Sequence, residues 1–438
     1  MNDLDLNAGA LAPVADEVDV PVARVHGKIP EGLAGTLIRN GPNPLDGRFH
    51  GQGVLDWWPE AAMLHAVSIT ADGRCAYRNR WVRTRRWQAH HGATDAGGWV
   101  DSNPNVNVLH HAGEILALAE GGPPVAVDAH LDTLGAPVVH APVAAGMTAH
   151  PKVEPESSEL SYVHLGPAGL RYGVLDPAGH RVVDQAVTLT GRPGMMHDMA
   201  ITATRAVLMD LGVGFDFSML ERGFRLPVCW QPERGSRLGV LPRRGGPVRW
   251  LEIEPCFIQH VVNAWDSGPH SLVFEAVRYP HYFRPDGSGG FLRDSLGVLW
   301  RYEIDLARGS VAEGPMGERS VELPRIDERR TGRRHRYVYS VAQPTDQEMR
   351  GVVQLDVDSG AERVHAVAPG DQNSEAVFVA DPAGRAEDDG WLLVCVYRGA
   401  SDSSELRILD ARDPAEVLAT VTLGRRIPAG FHGAWIPA

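Results

Sequence analysis

At 438 residues, with 43% hydrophobic and 22% charged side chains, the chain has a globular composition and enough length to bury a large core. Its formal net charge of −13 argues against a nucleic-acid partner, which needs a basic face, but leaves room for an apolar, lipid-dissolved ligand. Four scattered cysteines (Cys75, Cys229, Cys256 and Cys395) include no C-x-x-C pair, which argues against a disulfide framework or a cysteine-held zinc and fits reduced thiols in the cytoplasm.

The opening Met1-Asn2-Asp3-Leu4-Asp5-Leu6 is acidic and lacks the basic start and apolar core of a signal peptide. No run approaches the roughly 18 apolar residues of a membrane helix. Residues 1–20 are expected to form a flexible arm, and 21–438 a single domain. Strand patterns then follow one another. Leu64 to Val82 alternates on both sides of Thr70-Ala71-Asp72-Gly73, a hairpin turn sequence. The pattern returns at Leu170–Val183, Leu299–Asp305, Gly351–Gly360 and Trp391–Leu409. Asp-Gly, Pro-Ala-Gly and Asp-Ser-Gly turns separate short strands, and no long amphipathic helix interrupts them. The pattern predicts an all-β fold, either a propeller or a large sandwich; seven propeller blades would take roughly 60 residues each.

Four histidines sit among apolar or small neighbours: His150 after Met147-Thr148-Ala149, His197 between Met196 and Asp198, His260 between Gln259 and Val261, and His432 between Phe431 and Gly433. They lie 47, 63 and 172 positions apart, so they meet only if distant strands converge. Imidazole is the commonest metal ligand, and an all-nitrogen set suits iron, copper, nickel or zinc. Taken singly, each is more readily explained as a hydrogen-bonded core histidine. His90-His91 and His110-His111 read as loop or strand-edge residues. Asp198 and Asn263 read as backbone-shaping residues, and the basic run Arg329–Arg336 as a solvated, salt-bridged turn.

The settings of these histidines, with other segments in order, carry a resemblance. Pro30-Glu31-Gly32-Leu33-Ala34-Gly35-Thr36-Leu37-Ile38-Arg39-Asn40-Gly41-Pro42-Asn43-Pro44, Arg80–Thr84, Glu322-Leu323-Pro324-Arg325-Ile326-Asp327, Ser374–Val379 and Phe431-His432-Gly433 resemble the carotenoid cleavage oxygenases. That family includes the visual-cycle retinoid isomerase and the lignostilbene-cleaving enzymes. The resemblance implies a seven-bladed β-propeller with a loop dome over one face. It implies Fe(II) held by His150, His197, His260 and His432, with Glu120, Glu322 and Glu375 fixing three of the imidazoles from behind. It also implies oxidative cleavage of a conjugated double bond by dioxygen in an apolar tunnel, with an apolar polyene as substrate and transient membrane contact.

Three departures stand out. Glu60-Ala61-Ala62-Met63 replaces the family's Gly-Asp-Gly-Met before Leu64-His65, so a different turn is expected there. Val106 stands where many cleaving members carry Thr facing the open iron site, as an apolar residue does in the retinoid isomerase branch. Ala119 replaces the lysine that holds a phenol in lignostilbene enzymes, and their tyrosine loop is expected to be shortened around Gln88 to Asp101. A carotenoid or apocarotenoid substrate is therefore favoured over a stilbenoid. An isomerase or isomerohydrolase on the same scaffold, and a non-catalytic binding propeller, remain the alternatives.

Overall fold

The computed structural model describes residues 5–50, 54–93, 103–189, 191, 193–287, 290–345 and 348–438. Much of the loop expected around 88–101 lies outside these residues. The architecture is all-β, built from curled antiparallel sheets, as the alternating pattern implies. Hairpin follows hairpin: Ala62–Ile69 pairs with Cys75–Trp81 across the Thr70–Arg74 turn. Gly169–Leu175 pairs with Arg181–Ala186, and Gly390–Arg398 with Ser403–Asp410. Among the described residues the two α-helices, Arg85–His90 and Ser218–Glu221, are short, and no helix is long and apolar enough to cross a membrane.

The sheets follow one another along the chain. Strands from Asn107–His111 to Thr133–Gly135 form one, those from Lys152–Val153 to Arg181–Ala186 a second, and those from Ala200–Ile201 to Arg249–Ile253 a third. A larger sheet runs from Phe257–Gly268 to Glu362–His365. Within it Ser310–Arg325 changes partner: its first half pairs with Val298–Asp305 and its second with Tyr337–Ala342.

Closure is made by the chain ends. The last strand, Gly433–Pro437, pairs with Gly35–Pro42 from Gly35↔Pro437 to Arg39↔Gly433. Asp19–Gly27 bridges Val417–Thr422 and Cys75–Trp81. Gly35, at φ +153, permits the tight contact with the last strand; a Cβ there would meet the Ile436 carbonyl at 2.4 Å. Residues 5–18, expected as part of a flexible arm, lie against the body. Leu6 is buried, Asn7 exchanges hydrogen bonds with Phe49, and Val14 does so with Asn43.

Charged groups are buried where sheets meet. Glu154 accepts from the Ser157 amide and from Arg333, whose other nitrogen reaches Glu156; Glu159 pairs with Arg243 and Arg244. Burial would raise the Glu154 carboxyl, but the Ser157 amide and Arg333 outweigh it and hold it down to about 2. The basic run is therefore salt-bridged, and Asn263 clamps it by donating to the Arg330 and Arg333 carbonyls. None of the four cysteines is paired.

A carboxyl held lower in the folded than in the unfolded state adds stability above its unfolded value and loses it as pH falls toward the folded one. Glu154→Gln should therefore cost about 2–4 kcal/mol at neutral pH. In urea titrations across pH, the difference from the parent should shrink from about pH 4.5 downward and vanish near pH 2.

Candidate metal centre

Each of the four histidines comes from a different part of the sheet system, and all are buried. His260 lies inside the strand Phe257–Gly268, where the pairing slips between Ile258 and Val261 and again between Val261 and Asn263. Such bulges re-aim a side chain from the regular pleat. His432 immediately precedes the closing strand, and its amide donates to the Val106 carbonyl. His150 precedes the short strand Lys152–Val153, and Thr148 ties its turn to the His197 carbonyl. Asp198 accepts from the Met199 and Val261 amides and pairs with Lys152, which locks the His197 segment to the His260 strand.

The rings converge. His150 Nε2 and His197 Nε2 are 3.0 Å apart, as are His260 Nε2 and His432 Nε2. Ligating nitrogens of His150, His260 and His432 lie within 4.8 Å of one another, and ring centroids across the cluster are 4.5 to 5.2 Å apart. On the far side of three rings stands a carboxylate. Glu322 takes the His260 Nδ1 proton at 2.5 Å, Glu375 that of His432 at 3.0 Å, and Glu120 lies 2.5 Å from His197 Nδ1. No carboxylate stands behind His150 among the described residues. All seven sequence-derived residues are thus brought together.

This arrangement has a chemical consequence. A neutral imidazole that donates from Nδ1 carries its lone pair on Nε2. Two such lone pairs, those of His260 and His432, face each other at hydrogen-bond distance with His150 and His197 beside them, a repulsive geometry unless a cation lies between them. Two imidazoles bound at right angles to one ion, at about 2.1 Å each, place their nitrogens about 3.0 Å apart. The donor set therefore fits a metal ion. Protons compete poorly for two of these rings: burial and the neighbouring imidazoles push His150 well below its usual range, and burial pushes His432 down to about 4. For His197 the Glu120 charge outweighs burial and raises the ring.

The carboxylates are themselves held. Glu322 also accepts from Tyr279 Oη and the Leu323 amide, the latter through a left-handed Leu323 at φ 51, a conformation costly for a non-glycine. Glu375 accepts from the Gly433 amide and faces Arg325 at 3.6 Å; burial opposes its charge, yet Arg325 and His432 hold it down to about 2. Glu120 differs, with 37% of its side chain exposed against 4% for Glu322 and 1% for Glu375.

A cavity of about 530 Å³ opens beside the cluster. His197, His260 and His432 border it, and Val106, Met196, Phe215, Leu226, Phe283 and Phe431 give it apolar walls. Ala119 also faces it. The turn at Glu60-Ala61-Ala62 lies off this wall: Glu60 is buried and pairs with Arg86 and Arg225. Several lining residues were not legible in the sequence. Gln259 is flagged only by its neighbour His260, and Trp58, which packs on Phe431 at 5.7 Å with Trp57 behind at 4.8 Å, carries no local signal. Neither does the buried chain His111–His140–Glu114, which lies apart from the centre.

Comparison with known proteins places these features in context. The family model described as retinal pigment epithelial membrane protein matches residues 11–437. The chain is 35% identical to a carotenoid cleavage oxygenase of Mycobacterium tuberculosis, over 98% of this chain and 97% of that protein. It is 30% identical to the apocarotenoid-15,15'-oxygenase of Synechocystis, over 96% and 94%. Among solved structures, a variant of Synechocystis apocarotenoid oxygenase superposes with a TM-score of 0.87 at 29% identity, covering 97% of each chain. The cobalt-substituted form of that enzyme gives 0.86 at 28%, again over 97% of each.

Removing a carboxylate that orients a ligating imidazole typically weakens metal binding about 10- to 100-fold. Glu322→Gln and Glu375→Gln should do so, whereas Glu120→Gln, whose carboxylate is hydrated, should cost less than tenfold. Metal content after dialysis against graded chelator measures all three, and equal losses would contradict the ranking.

Proposed function

We propose that this chain, which belongs to the carotenoid cleavage oxygenase family, is a ferrous-iron dioxygenase that opens one double bond of a carotenoid or apocarotenoid to two carbonyl products. The observation that carries the reading is the set of inward-facing Nε2 lone pairs at the wall of an apolar cavity. In it, His150, His197, His260 and His432 hold the ion, while Glu120, Glu322 and Glu375 orient their rings. Bound ferrous iron would supply the electrons that activate dioxygen toward an alkene. The chain's own share is placement: apolar walls exclude water and hold one double bond beside the histidines. Besides the histidines, Glu120 is the ionisable group among the described lining residues, which suits a reaction that needs no acid–base residue.

Further parts of the reading rest on particular residues. The strand groups support seven blades once Ser310–Arg325 is divided between two of them and the closing strand joins Gly35–Pro42. A single catalytic domain over 21–438 is consistent with that closure. Ala119 at the cavity wall offers no amine to a phenol, which favours a polyene over a stilbenoid. Phe217 and Leu220, 68% and 49% exposed, flank the cavity residues Phe215 and Leu226 and support transient contact with lipid. Four unpaired cysteines support a reducing, cytoplasmic setting.

Val106, which borders the cavity beside the His432 segment, keeps the isomerase reading in view. Mass spectrometry of iron-loaded protein incubated with carotenoids, apocarotenoids and retinyl esters under ¹⁸O₂ separates the two. Paired aldehyde or ketone fragments carrying label are expected; isomers or free alcohol without label would favour the isomerase. His260→Ala should abolish turnover and iron binding together. Val106→Thr should keep the same products, with kcat/KM changed by less than about tenfold.

A further inference from the structure

A second, smaller cavity of about 160 Å³ lies on the other side of the aromatic wall. It shares Trp58, Gln259, His260 and Phe431 with the large cavity, so the two flank the same edge of the histidine cluster. Their characters differ. Both have largely apolar walls, but the small one also gathers Arg39, Gln343, Asn373 and Tyr279, with Glu322 at its histidine end. By volume it holds about five waters, or a short fragment of similar size.

Arg39 is the unusual member. It comes from the strand Gly35–Pro42, is 5% exposed, and has no carboxylate partner among the described residues. Its Nε lacks any hydrogen-bond partner, and its polar neighbours include the Cys395 thiol, another lining residue, and the buried His65 and Tyr77. Neighbouring acids are committed elsewhere. Glu375 serves His432, the Gly433 amide and Arg325. Glu322 has both oxygens taken, by His260 and the Leu323 amide on one and Tyr279 on the other. Gln343 is 7% exposed, and its amide oxygen is also unpartnered. Amide orientation is assigned by hydrogen bonding, so the side chain can turn its NH₂ to the cavity when an acceptor arrives.

A guanidinium stays charged under all physiological conditions, and burying it without a counter-charge is costly. That cost is removed if an anion enters the cavity from the histidine side. Resting on the cleavage reading, we propose that the small cavity is the subsite for the shorter end of the substrate, and that this end carries a carboxylate received by Arg39 and Gln343. The polyene then runs from the large cavity past the histidines, and the bond beside them lies close to the acidic end. Cleavage would be eccentric, releasing a short acidic carbonyl fragment and a longer apolar one.

Anaerobic binding tests this without turnover. Metal-loaded protein is titrated with a polyene carboxylate and with its methyl ester of equal chain length, and quenching of tryptophan fluorescence is followed. The parent should bind the acid at least tenfold more tightly. In Arg39→Met the ratio should fall to about one, whereas a merely steric rejection of the ester would leave it unchanged. Should Arg39→Met fail to fold, Gln343→Leu should lower the ratio at least threefold. Equal binding of acid and ester by the parent, or an unchanged ratio in the folded variants, overturns the subsite. Acid-selective, Arg39-dependent binding followed by no cleavage in air supports the subsite while overturning the oxygenase reading.

Discussion

Two imidazoles, His260 and His432, commit their Nδ1 protons to carboxylates and so present lone pairs from Nε2 that face each other, with His150 and His197 beside them. Much of the surrounding structure serves that one arrangement. Glu322 and Glu375 are buried because a protein amide, a phenol or a guanidinium satisfies their remaining oxygens. In turn, Leu323 accepts a left-handed backbone so that its amide can reach Glu322. A cation among the rings would convert mutual repulsion into attraction and so couple metal binding to local order at this site.

Sheet geometry delivers the rings to one point. His432 is held where the last strand closes onto Gly35–Pro42, so the end-to-end pairing of the chain also places a candidate ligand. The bulges around His260 turn its ring away from the regular pleat. Asp198 and Thr148 stitch the loops of His197 and His150 to neighbouring strands, which gives irregular segments the fixed geometry that a metal site demands. Rigid strands supply position, and side-chain bonds remove the freedom that remains in the turns.

The space around the cluster is divided by aromatic packing. Phe431 stacks on Trp57 and meets Trp58 edge-on, separating a large cavity from a smaller one that holds a buried arginine, on the two sides of the same histidines. A long apolar molecule with one polar end matches that division. The buried Arg39 puts a positive charge without a carboxylate partner on that smaller side, and it lies within the run that begins at Pro30 and ends at Pro44.

Alternation around Asp-Gly and Pro-Ala-Gly turns was enough to read an antiparallel all-β chain, and the hairpins at 62–81, 169–186 and 390–410 follow that reading closely. The seven polar residues of the centre were legible because their flanking motifs are local in sequence. Their distances were not, since His150 and His432 meet only through closure of the sheets. Residues 5–18 read as a loose arm because their side chains carry no strand pattern; contacts with Phe49 and Asn43, far along the chain, hold them down. Trp57, Gln259 and Arg39 escaped notice for the same reason: a cavity wall is a relation between distant segments. The amino-acid sequence thus determined secondary structure and the chemical identity of the candidate ligands, both set by short-range pattern. Tertiary structure alone decided convergence, the split of the cavities and the unpaired charge of Arg39, because burial and proximity exist only once the sheets have closed.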